Sequence, residues 1–125
     1  MVHIVLVTRR LKALQRFSEA LSSNPEVRLD SAISGAEAVE AVRTVAPHLV
    51  IIDSDLPGTT PLDLVQKLLM INALVNTAVI SPLSDAEFHE VSEGLGILSR
   101  LPVEPGRTEA ADLVRKLKMV LEGVA

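Results

Sequence analysis

Five times along this chain a short apolar run rich in β-branched residues gives way to a stretch of helical period, and few folds accept that alternation. Val2–Val7 is almost wholly apolar, as expected of a strand covered by helices on both faces. From Arg9 the period lengthens, with Leu11, Leu14, Phe17 and Leu21 on one helix face until Asn24-Pro25. Val27–Ala32 reads as a second, edge-like strand. Ser34-Gly35-Ala36-Glu37 is a capping box, and the helix it opens runs through Val39, Val42 and Val45 to Pro47. A third strand is expected at 48–53, a turn at Pro57-Gly58, a third helix at 61–71 and a fourth strand at 77–81. A second capping box, Ser84-Asp85-Ala86-Glu87, opens a helix ending near Gly94. A short fifth strand is expected at 97–100, followed by a helix with Ala111, Val114, Leu117 and Leu121 on one face.

Strict β-then-α order calls for right-handed crossovers and a parallel central sheet, so the pattern predicts a (βα)5 α/β domain over residues 1–125. At 125 residues the chain is long enough to bury a core without staples, and there is no cysteine to staple it. The absence of cysteine also excludes thiolate metal sites and thiol nucleophiles. With a net charge of −4 and no basic block, the chain offers little to nucleic acid or to an anionic membrane. The apolar N-terminal run is too short to span a bilayer, and its arginines follow the run rather than precede it as in a signal peptide. A cytoplasmic protein is therefore expected. His3, His48 and His89 do not converge, so neither a metal site nor a histidine-based triad is predicted, and no nucleophile elbow or Walker loop is present.

In an open parallel sheet, reactive groups gather beyond the carboxyl ends of the strands. Those positions hold Thr8 and Arg9, Asp53, Ser81, and Arg100 to Pro102. Within this frame, Leu49-Val50-Ile51-Ile52-Asp53-Ser54-Asp55-Leu56-Pro57-Gly58 resembles the phospho-acceptor strand and loop of bacterial two-component receiver domains. Ser81 matches the family's switch hydroxyl, and the segment around Pro102 resembles its last conserved loop. The resemblance covers essentially the whole chain. It implies a flavodoxin-like doubly wound fold with a five-stranded parallel sheet in the order 2-1-3-4-5, and a signalling module rather than an enzyme.

The departures from the family are equally specific. Thr8 and Arg9 stand where the resemblance places an acidic pair, and Leu101 stands where it places a lysine. Mg²⁺ takes hard oxygen ligands, so Asp53 beside an arginine is a poor site for it. No cofactor is expected, and Mg²⁺ only if Asp53 is still phosphorylatable. Phosphoryl transfer depends on positioning and charge stabilisation, so the resemblance implies impaired phosphorylation and a role in protein–protein contact. Asp53 is expected to pair with Arg9, or else to remain a phospho-acceptor for a histidine kinase. Ser81, which precedes Pro82, serves either as a switch hydroxyl or as a turn cap. A flavodoxin-like electron carrier is a more distant alternative, poorly served by a chain with two phenylalanines and no tyrosine or tryptophan.

The third helix carries apolar residues around most of its circumference. That surplus predicts an exposed interface including Val65, Leu69 and Met70, unless the loop at 72–76 covers it. The expected partners are proteins (a histidine kinase or an output domain) and a second copy of the chain in a symmetric dimer, formed either through the third helix or, as the resemblance implies, through the face of the fourth helix, fifth strand and fifth helix.

Overall fold

The computed structural model describes residues 1–123. Five strands, β1 (Val2–Val7), β2 (Val27–Ala32), β3 (Leu49–Ile52), β4 (Asn76–Ile80) and β5 (Ser99–Leu101), form one parallel sheet in the order β2-β1-β3-β4-β5. The helices are α1 (Gln15–Ser22), α2 (Gly35–Val45), α3 (Pro61–Ile71), α4 (Asp85–Ser92) and α5 (Arg107–Leu121). This is the flavodoxin-like α/β fold expected from the sequence.

The near-continuous apolar strands are explained by two cores, one on each face of the sheet. Ile4 and Leu6 of β1, with Leu49 and Ile51 of β3, face Phe17 and Leu21 of α1 and Leu113 and Leu117 of α5. Their neighbours Val5, Val7, Val50 and Ile52 face the other way, toward Val42 of α2, Leu64 and Leu68 of α3 and Phe88 of α4. Period-2 alternation sends successive side chains to opposite faces, so both must be apolar when helices cover both.

Local signals place the helix starts. Ser34 and Ser84 accept hydrogen bonds from the Glu37 and Glu87 amides, and Thr60 does the same for α3 with Pro61 as its first residue. At α4 the reciprocal bond from the Ser84 amide to Glu87 closes the box, whereas Glu37 reaches one residue further back, to the Ile33 amide.

Two element starts and one buried stripe differ from expectation, beyond shifts of a single residue. Helix α1 begins at Gln15 rather than near Arg9, and residues 11–14 are turns that leave Leu11 exposed. No side chain caps α1, and no acidic residue lies in its first turn. Strand β5 starts two residues late because Gly94 and Gly96 hold left-handed conformations, with φ of 87° and 63°, that keep the chain in a loop. In α5 the buried stripe is Ala110, Leu113, Val114 and Leu117, while Ala111 and Leu121 face solvent.

The third helix also departs from expectation. Val65 is fully buried in the core and cannot form an interface, and Leu69 is half-buried against the same core. Only Met70, with Leu74 just beyond the helix, is strongly exposed, at 87% and 88%. Val75 from the following loop is buried. The apolar surplus was therefore absorbed largely by the core, because α3 is covered by α2 and by the loop into β4 as well as by the sheet.

Candidate functional site

The carboxyl ends of β1, β3, β4 and β5 form one rim, and Asp53 lies at its centre. Its amide continues the sheet by donating to Val7 O at 2.9 Å, which fixes the side chain next to the end of β1. There Thr8 Oγ1 donates to Asp53 Oδ2 at 2.6 Å, and the Arg10 amide donates to the same threonine oxygen at 3.0 Å. The Arg10 guanidinium grips the carboxylate in two-pronged fashion, Nε to Oδ2 at 2.8 Å and Nη2 to Oδ1 at 3.0 Å. The Ser54 amide adds a bond to Oδ1 at 2.7 Å. Each carboxylate oxygen thus accepts two good hydrogen bonds, which fills the acceptor capacity of the group.

The expected partner Arg9 does not make this pair. Arg9 is exposed and Arg10 takes the role instead. Beyond Val7 the chain bends at Arg9, where the Arg10 amide bonds back to the Thr8 hydroxyl, and this turn leaves Arg9 in solvent while it brings Arg10 over Asp53.

Asp53 and Thr8 are almost wholly buried. Burial pushes the Asp53 carboxyl up, but the hydrogen bonds from Arg10, Thr8 and Ser54 and the charge of Arg10 outweigh it and hold the group below the usual carboxylate range. The hydrogen bond to Asp53 correspondingly raises Arg10. Arg10 Nη2 also donates to Val103 O at 2.7 Å, tying the carboxylate to the loop that leads into α5.

A second arginine ties the other half of the rim. Arg100 Nε donates to Asp85 Oδ1 at 2.6 Å and its Nη1 to Ser81 O at 2.9 Å, joining β5 to the start of α4. The sequence placed Arg100 on the rim but not this bridge. The Ser81 hydroxyl accepts from the Leu83 amide at 3.2 Å, the turn-capping role open to a serine before proline. Leu101 is buried in the α1/α5 core and presents no polar group to the rim.

The donor set fits a divalent cation poorly. Asp55, the nearest other acid along the chain, is exposed, and a guanidinium sits on the only buried carboxylate. Among the described residues, no three His, Asp or Glu side chains converge in a way that would hold a metal ion.

No protein-family model and no curated protein matches the chain. Solved structures do. The receiver domain of the Francisella response regulator 1452 superposes with a TM-score of 0.82 at 17% identity, over 96% of this chain and 99% of that one. The chemotaxis response regulator CheY4 of Vibrio cholerae gives a TM-score of 0.81 at 15% identity, covering 94% of this chain and 98% of its own. A LuxR-family two-component response regulator from Aurantimonas gives 0.80 at 17% identity, over 98% of this chain and 86% of that one. At these identities the likeness is one of fold.

Proposed function

We propose that this chain is a receiver-type signalling domain that works by docking to proteins rather than by accepting a phosphoryl group. The Arg10–Asp53 clamp carries this reading. Transfer to Asp53 requires a free carboxylate oxygen aligned with the donor and a cation to neutralise the developing charge. Here both oxygens are saturated, and the cation already in place is a guanidinium fixed at 2.8 Å. Arg10 and Arg100 together cross-tie the β1, β3, β4 and β5 ends, which favours a rim held in one conformation. A domain of this kind presents a constant surface to its partners and catalyses no reaction of its own. The electron-carrier alternative lacks support: Phe17 and Phe88 are the only aromatic side chains, and both are buried.

The dimer contact belongs to the exposed end of α3, where Met70 and Leu74 are the most solvent-exposed large apolar side chains inside the chain. No helix among the described residues is long and apolar enough to cross a membrane.

The test is amide NMR with Mg²⁺, then with Mg²⁺ and beryllofluoride, with Asp53→Asn as control. The expected result is no change around Asp53, Ser81 and Leu101. Saturable shifts that vanish in Asp53→Asn would show that Arg10 yields the carboxylate, and the domain would then be a phospho-acceptor with a histidine kinase upstream.

A further inference from the structure

Residues 9–16 hold four of the chain's twelve cationic side chains and none of its sixteen acidic ones. Interleaved with Leu11, Ala13 and Leu14, they do not read as a basic block. The fold sets one of them, Arg16, beside a cation from the far end of the chain. Arg10 is committed to Asp53, but Arg9, Lys12 and Arg16 are exposed and make no ion pair among the described residues. Helix α5 packs beside α1 and brings Arg107, also exposed and unpaired, to the same edge. Arg16 and Arg107 jointly line two cavities there, of about 360 Å³ and 390 Å³. Other cations of α5 are spoken for: Arg115 pairs with Asp112, Lys118 with Glu26, and Lys116 donates to Ser99. Glu19 lines the second cavity and keeps its charge under a bond from the neutral Gln15 amide, so the two arginines outnumber one acid there, and Glu109 is turned back onto the Gly106 amide.

These cations sit where local electrostatics disfavours them. Arg16 lies in the first turn of α1, which holds no acidic residue, and Arg107 opens α5, where Glu109 offsets it in the same turn; both stand at the positive ends of helix dipoles, where acidic residues are the stabilising choice. A sequence that breaks a local rule twice at one place signals a site whose compensation comes from outside the domain.

We infer that the α1/α5 edge, with Arg16 and Arg107 at its centre, docks an acidic segment of a protein partner. A short acidic peptide matches the groove in charge while avoiding the rest of the surface, which is net negative. A long polyanion would meet that repulsion. Single-stranded nucleic acid would in addition find no aromatic ring among the residues that line the groove, and both phenylalanines are buried. The surface is separate from the Asp53 clamp, so the inference does not depend on whether Asp53 is phosphorylated.

The test is fluorescence anisotropy of a fluorescein-labelled hexaglutamate peptide at low ionic strength with the full chain. Binding that weakens with salt is expected in the wild type. The double variant R16E/R107E should lose affinity at least tenfold, while its Tm stays level or rises by about 2 °C because each glutamate now suits its helix dipole. R43E, which reverses an unpaired cation on α2, should bind like the wild type. If R16E/R107E does not fold, R16Q/R107Q provides the same comparison. No wild-type binding, or equal loss in R43E, overturns the inference. Tighter binding of hexathymidylate or of phosphatidylglycerol vesicles, lost in the same double variant, also overturns it by assigning the groove to nucleic acid or to a membrane.

Discussion

Asp53 keeps a charge at a point where its side chain is only 1% exposed, so the balance has to come from within the fold. Arg10 supplies it, together with hydrogen bonds from Thr8 and Ser54. Truncating Arg10→Ala leaves the carboxylate buried beside neutral donors only. We expect a loss of about 2–3 kcal/mol in urea denaturation, below the full cost of breaking a deeply buried pair because Arg10 itself is partly solvated. Arg10→Lys should fall between, since an ammonium keeps the charge but not the two-pronged geometry. The pH dependence follows from the lowered carboxyl. Above about pH 4, the ordinary carboxylate value in an unfolded chain, the unfolded and folded states both hold Asp53 ionised and the stabilisation is complete. Below it the unfolded state takes up the proton first, so stability declines as pH falls through the lower folded-state value. In Arg10→Ala the lowering influence is largely gone and burial remains, so the folded-state carboxyl no longer lies well below the unfolded one and Asp53's share of the acid-induced loss should shrink or reverse. Thermal melts of wild type and variant from pH 2 to pH 7 would show a shallower acid limb in the variant, and limbs of equal steepness would rule out the clamp as its source.

Among the elements, the three helices with an N-cap side chain start where the sequence says they should; α5, held at its start by Glu109 on the Gly106 amide, does so too, and α1, with neither device, does not. Helices α2, α3 and α4 each open behind Ser34, Thr60 or Ser84. Helix α1 has no such residue, concentrates positive charge at its positive end, and gives up its first turns to the loop that delivers Arg10 to Asp53. The end of α2 stores a small strain: Ala46 sits in the left-handed region with φ of 45°, ahead of Pro47. Its side chain is exposed, so Ala46→Gly removes the penalty without opening a cavity. A gain of about 1 kcal/mol is expected, read as a higher denaturant midpoint at unchanged slope. A loss of stability would mean that the added chain entropy of glycine outweighs the relief.

At the scale of the whole molecule, sedimentation measurements on wild type and on M70E/L74E test the dimer. The wild type is expected to associate and the variant to remain monomeric with an unchanged Tm, because both side chains are outside the core. A monomeric wild type would end the dimer reading. Much of the architecture was legible in the residues themselves. Strand and helix periods, two serine caps and continuous apolar strands depend on neighbours a few positions apart, and the sequence displays those directly. The rim could be located the same way, since Asp53, Ser81 and Arg100 fall at strand ends. What stayed hidden were pairings across the chain. Whether Arg9 or Arg10 reaches a carboxylate 43 residues beyond Arg10 depends on how the β1 end lies against β3. Whether an apolar α3 residue such as Val65 is core or surface depends on what α2 and the next loop cover. Likewise, Arg16 and Arg107 become one charged edge only when α5 packs on α1. Local periodicity is a property of short segments, and the sequence by itself determined it. Charge balance and burial are properties of the packed whole, and only the tertiary structure decided them.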